Sequence, residues 1–156
     1  MVVARHVSVK EGDVLLLIGT MKGAFVLRSN AARNHWQMGG PYFPGHPVYA
    51  MAYDGRVGRQ RIWAGTGSEH WGPMLSSSDD FGRTWTNPEA TPVKFPEGTD
   101  ATVKRIWQIH PSRPEEAEAL YLGVEPAALF ESRDAGETWN LVRGLWDHEH
   151  RPKWQP

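Results

Sequence analysis

Short apolar runs recur along the chain, separated by Gly, Pro, Asp and Asn. Val14-Leu15-Leu16-Leu17-Ile18-Gly19-Thr20, Ile62-Trp63-Ala64-Gly65-Thr66 and Ala119-Leu120-Tyr121-Leu122-Gly123-Val124 are near-continuous apolar segments of strand length, which predicts three buried strands. A second run follows each of them after a short Gly- or Pro-bearing gap, at residues 24–27, 73–76 and 128–131. Further strands are predicted at 48–53 and 103–109, ahead of the second and third segments, with Asp54-Gly55 and His110-Pro111 as the turns that end them. No long 3.6-residue periodicity competes with this all-β reading.

The runs are spaced by a repeat. Ser78-Asp79-Asp80-Phe81-Gly82-Arg83-Thr84-Trp85 and Ser132-Arg133-Asp134-Ala135-Gly136-Glu137-Thr138-Trp139 share the pattern Ser-x-Asp-x-Gly-x-Thr-Trp. A decayed copy, Ser29-Asn30-Ala31-Ala32-Arg33-Asn34-His35-Trp36, keeps only the first and last positions and lies upstream by about 50 residues, the length of one repeat unit. The conserved-pattern residues have a mechanical explanation as a hairpin turn. Asp80 and Asp134 can accept backbone N–H bonds, Gly82 and Gly136 permit positive φ, Thr84 and Thr138 close the loop, and Ser78 and Ser132 open it. Trp85 and Trp139, one leaving each turn, are expected to pack between neighbouring units. Four antiparallel strands per unit describe a β-propeller blade. Three blades are expected, at about 13–40, 46–90 and 101–145, with 146–156 a connector.

These turns resemble the Asp-box, or bacterial neuraminidase, repeat. The chain is also similar to a bacterial family labelled BNR-repeat, sialidase-like or glycosyl hydrolase-like. That second resemblance rests on Gly19-Thr20-Met21-Lys22-Gly23-Ala24-Phe25-Val26-Leu27, Val103-Lys104-Arg105-Ile106-Trp107, Gly123-Val124-Glu125-Pro126-Ala127-Ala128-Leu129-Phe130 and Gly144-Leu145-Trp146-Asp147-His148. It implies a propeller about twice this length, of which the chain is an N-terminal portion. The residues argue for incompleteness independently: the first unit starts directly on its second strand at Val14, and residues 1–13 hardly supply an inner one. Three blades would leave open edges, so the expectation is a fragment, with self-association of two copies into a closed ring as the alternative.

Composition narrows the function without naming it. The chain has 156 residues, a formal charge of −1 and no long run of either sign, so neither nucleic acid nor a membrane surface is implied as partner. The absence of cysteine removes disulfides and thiolate chemistry and suits the cytoplasm. No phosphate loop, nucleophile elbow or clustered metal-ligand spacing is present, and no cofactor or metal is expected.

Ligand chemistry is expected on the face opposite the box turns, in a central funnel, where the loops 20–23, 66–73 and 124–127 meet the connectors 37–47, 86–102 and 143–156. The candidate ligand-binding residues there are Lys22, His70, Trp71, Arg105, Glu125 and His148, suited to a carbohydrate or another small polar ligand. Lys104 and Arg105 are expected to alternate on one strand, one facing the funnel and the other pairing elsewhere. Glu125, set among Val124, Pro126 and Ala127, is expected to pair with a cation and is the one candidate for a catalytic carboxylate. A sialidase needs an arginine cluster, a tyrosine–glutamate pair and an acid/base aspartate. The early Arg-Ile-Pro motif is replaced by Arg61-Ile62-Trp63 and Arg105-Ile106-Trp107, and Tyr42 is the only tyrosine in a connector of the favoured face. A hydrolase in the complete ring and a non-catalytic protein-binding or assembly propeller therefore both stay open.

Overall fold

The structure, a computed structural model, describes residues 5–68, 72–86 and 92–154. Its strands form three separate antiparallel sheets in chain order. The first has the order β1 (Val14–Thr20), β2 (Gly23–Ser29), β3 (Trp36–Tyr42), and the second β4 (Val48–Asp54), β5 (Arg61–Thr66), β6 (Met74–Ser78). The third has four strands: β7 (Arg105–Pro111), β8 (Leu120–Glu125), β9 (Ala128–Ser132) and β10 (Asn140–Leu141). Each apolar run becomes a strand, and each hydrophobic pattern selects which face is buried. On β5, Ile62 and Ala64 bury toward the first sheet and Trp63 toward the third; on β8, Leu120, Leu122 and Val124 bury against the second.

Two cores result, one at each junction between sheets. Val26, Tyr42, Val48, Ile62 and Ala64 fill the first junction, and Trp63, Ile106, Leu122, Phe130 and Trp139 are among those filling the second. Each fully buried aliphatic or aromatic side chain here contributes about 1.5–3 kcal/mol. The second junction is also clamped by charge. Asp54 is 2% exposed and bonds Arg56 through Nε and Nη2 at 2.8 Å each, while Arg56 Nη1 donates to the carbonyls of Glu116 (3.0 Å) and Ala119 (2.8 Å) in the third sheet's first loop. Burial pushes the Asp54 carboxyl up, but the Arg56 side chain and amide outweigh it and hold it below its ordinary value.

Several boundaries differ from expectation. β4 runs one residue past its expected limit, onto Asp54, and β7 continues through His110 and Pro111, so the turn after it lies at the 3₁₀ segment Pro114–Glu116. The N-terminal segment starts along the outer strand β3, where Arg5 exchanges backbone bonds with Gly40 (3.2 and 2.8 Å), and Val7 and Val9 then join the first core. The connector before β7 is not wholly a surface loop, since Val93 is buried and Phe95 packs on Phe130 with ring centroids 5.2 Å apart. The final connector holds a helical turn, α1 (Arg143–Trp146), and a 3₁₀ turn at Arg151–Lys153; Arg151 covers the Trp146 ring at 3.7 Å. Among the described residues no helix is long and apolar enough to cross a membrane.

Both Ser-x-Asp-x-Gly-x-Thr-Trp segments form the same turn. Ser78 Oγ accepts from the Gly82 amide (2.8 Å) and donates to Asp80, whose carboxylate takes the Thr84 amide (2.8 Å) and hydroxyl (2.6 Å). Ser132, Asp134, Gly136 and Thr138 repeat the set, with Gly136 N–Ser132 Oγ at 2.8 Å, Thr138 N–Asp134 Oδ1 at 2.9 Å and Thr138 Oγ1–Asp134 Oδ2 at 2.5 Å. Gly136 is required twice over: its φ is +94°, and a Cβ there would lie 2.5 Å from Trp63 Cη2 of the neighbouring sheet. In the decayed copy Ser29 stays fully buried but donates to the His35 carbonyl (2.5 Å) instead.

Candidate functional site

Antiparallel pairing alternates the hairpin ends, so the β1–β2, β5–β6 and β8–β9 turns lie at the end of the sheets opposite the box turns. Backbone bonds close each of these ends locally. Gly45 N donates to Lys22 O (3.2 Å), Gly67 N to Pro47 O (2.8 Å) and Lys104 N to Glu125 O (2.7 Å). Between them opens a cavity of about 560 Å³ whose walls include Met21, His46, Tyr49, Ser68, Lys104 and Arg105.

Two bulges shape its edge. The β4–β5 register shifts between Val48 and Ala50, and the β7–β8 register shifts between Ile106 and Gln108. Each shift releases one aromatic residue from the ladder, Tyr49 and Trp107, and re-aims its side chain. The two rings meet edge to face with centroids 5.3 Å apart. The Arg105 guanidinium lies against both, 5.8 Å from the Tyr49 centroid and 5.5 Å from that of Trp107, within cation–π range. Arg105 Nη1 also donates to Glu125 Oε2 at 2.6 Å. The Glu125 carboxylate first, and then the Tyr49 hydroxyl, raise the Arg105 guanidinium above its ordinary value. The cluster stays open to solvent, with Trp107 42% exposed.

The predicted site residues are distributed as follows. Arg105 and Glu125 come together, and Glu125 has the cationic partner its setting called for. Lys104 precedes β7, so it is not bound by strand alternation, and both it and Arg105 line the cavity. Lys22 adjoins the site through its main chain: its amide donates to Thr20 Oγ1 (3.1 Å), and its carbonyl accepts from the Gly45 amide (3.2 Å). His148 does not line the cavity; it stacks on Trp154 (5.5 Å) and contacts the His150 ring (5.3 Å). His70 and Trp71 lie outside the described residues. Tyr49 and Trp107 are additions that strand alternation concealed, and His46 is one from the connector before β4. The available signal was an aromatic residue directly after a β-branched one in both first strands, Val48-Tyr49 and Ile106-Trp107.

A larger cavity, about 710 Å³, opens at the box end between Leu15, Leu17, Tyr53 and Phe81. Of the charged groups that line it, Asp13 is held by Arg28 through two bonds (2.6 and 2.7 Å) and Arg59 reaches the Ala117 carbonyl and Glu118, while Lys10 and Glu11 complete the lining. The box turns themselves are saturated by their own bonds, as described above. Among the described residues no group of three or more His, Asp or Glu side chains is placed to hold a metal ion. The chain matches no family model, and no curated protein is similar to it at a significant level.

Proposed function

We propose that the chain is part of a sialidase-like Asp-box β-propeller whose funnel binds a glycan or another small polar ligand at the Tyr49–Trp107–Arg105–Glu125 cluster. The repeated sheets and the duplicated box turn support the propeller reading. The observation that carries the ligand reading is the exposed aromatic corner holding an ion pair at the mouth of a cavity. An indole face stacks on the C–H face of a sugar ring, while a guanidinium and a carboxylate give and accept hydroxyl bonds in fixed directions. Hydrolysis is a weaker extension, because both the usual two-carboxylate cleavage and the sialidase arrangement of a tyrosine–glutamate pair with an acid/base aspartate need carboxyl groups at the scissile bond, and no carboxylate is among the described residues lining the cavity. Titrating the protein with a panel of neutral and acidic sugars, followed by indole fluorescence and calorimetry, tests the reading. Saturable binding that weakens about tenfold or more in Trp107→Ala supports it; unchanged affinity in Trp107→Ala and Glu125→Gln rejects this site.

A protein-binding role has its own support. The face of the first sheet turned away from the second carries Leu16, Ile18, Phe25, Leu27 and Met38, with Leu16 48% and Met38 60% exposed. Such a contiguous apolar face suits a macromolecular contact.

A further inference from the structure

Charge is distributed unevenly around the 560 Å³ cavity. Among the described residues its lining holds two cationic side chains, Lys104 and Arg105, the imidazole of His46 and no carboxylate, although the whole chain has a formal charge of −1. The larger cavity at the box end has Glu11 and Asp13 in its lining, so the bias belongs to one end of the sheets. The two cations differ. Arg105 is paired with Glu125 at 2.6 Å and lies against the Tyr49 and Trp107 rings. Lys104 is exposed, its amide is anchored on the Glu125 carbonyl (2.7 Å), and its ammonium has no ion-pair partner among the described residues. A net positive charge therefore remains on this wall. Polar side chains also arrive from a second wall, where the connector before β4 meets the loop after β5. There the Gly67 carbonyl accepts from His46 Nδ1 (3.3 Å), which leaves Nε2 as the ring atom that can meet a ligand. The volume falls within the range of small-molecule pockets, about 300–1,000 Å³.

We infer, resting on the reading of the Tyr49–Trp107 corner as a ligand site, that the ligand is a phosphate monoester whose phosphate is held in the cavity by Lys104 and His46. A carboxylate is planar and is matched best by a free arginine fork, but Arg105 already gives Nη1 to Glu125 and stands beside two rings. Lysine acts instead as a point charge, the way it serves phosphate. A phosphate head presents three oxygens in different directions, which suits donors on two walls, and carries close to two negative charges at neutral pH. Glu125 sets the polarity of the bound ligand. It sits at the corner and outside the cavity lining, so it repels an anionic group from the corner and leaves that place to the uncharged ring. Tyr49 and Arg105 belong to both the corner and the cavity, so one ligand spans the two.

The test is calorimetric titration of the full chain with glucose, glucose 6-phosphate, glucuronic acid and inorganic phosphate, at low and matched ionic strength. Glucose 6-phosphate should bind about tenfold or more tightly than glucose or glucuronic acid. Lys104→Met keeps the aliphatic stem and removes the charge. It should erase that preference while leaving the glucose affinity and the urea midpoint unchanged, whereas Lys10→Met, at the box end, should leave the preference intact. Equal affinity for glucose 6-phosphate and glucose, glucuronic acid binding as tightly as the phosphate, or a preference that survives Lys104→Met would each overturn the proposal. So would an equal loss in Lys10→Met, since net charge rather than a phosphate contact would then explain it. The two readings fail separately. Inorganic phosphate that binds through Lys104 while glucose does not bind supports the phosphate site and rejects the sugar contact; glucose binding without a phosphate preference does the reverse.

Discussion

The two ends of the sheets are built from the same repeats but differ in how their polar groups are used. At the box end, Asp80 and Asp134 accept from within their own turns, and both turn glycines lie against aromatic rings of the preceding sheet, Tyr42 and Trp63. At the opposite end, Arg105 and Glu125 pair with each other in solvent, beside two aromatic rings freed by bulges. A motif can therefore be the most recognisable part of a chain and still have no chemistry to offer a ligand. Changes at the box end should cost stability and leave binding intact; changes at the other end should do the reverse.

The strongest way to break that contrast is Gly136→Ala. The left-handed backbone and the clash with the Trp63 ring together should cost about 3 kcal/mol in urea unfolding, with residual sugar affinity in the folded fraction unchanged. Acid sharpens it next. The Thr138 hydroxyl, then the Thr138 amide and the Ser132 hydroxyl, lower the Asp134 carboxyl from 3.8 to about 2. The folded value lies below the unfolded one, so this contribution is complete above the unfolded value and is lost as pH falls from there through about 2. Denaturation midpoints measured from about pH 5 down to about pH 2 should drop in the parent and drop less in Asp134→Asn.

A smaller effect separates the two box tryptophans. Trp139 Nε1 donates to the Gly136 carbonyl at 3.2 Å, whereas Trp85 Nε1 is buried with no hydrogen-bond partner among the described residues and its ring rests on Phe43, centroids 4.8 Å apart. Trp139→Phe should therefore destabilise by about 1 kcal/mol more than Trp85→Phe, measured by thermal unfolding under matched conditions. The smallest stability change is expected at the opposite end. Trp107→Ala should cost under about 1 kcal/mol while removing most sugar binding; a large loss of stability with unchanged binding would reverse the assignment of the two ends.

Much of the fold was legible because local pattern and local structure agree. The apolar runs at 14–20, 62–66 and 119–124 became strands within a residue of their expected limits, and the box residues formed the expected turn, since both depend on neighbours in sequence. His110-Pro111 misled because a proline at a strand end is compatible with both a turn and the last ladder position. The site was half legible: Arg105 and Glu125 were named, while Tyr49 and Trp107 were assigned to strands and so hidden. A bulge shifts register by one residue, and its mark here, two adjacent large apolar residues, is shared with ordinary buried strands such as Ile62-Trp63.

By itself, the sequence determined the all-β class, the repeat, the turn chemistry and which side of each strand is apolar. These follow from backbone preference and from side-chain period, which act over a few residues. Only the tertiary structure decided that Arg105 meets Glu125 across paired strands and that Arg56 clamps one sheet to the next. Those facts depend on register and on the packing of one sheet against another, which bring together groups that no local pattern relates.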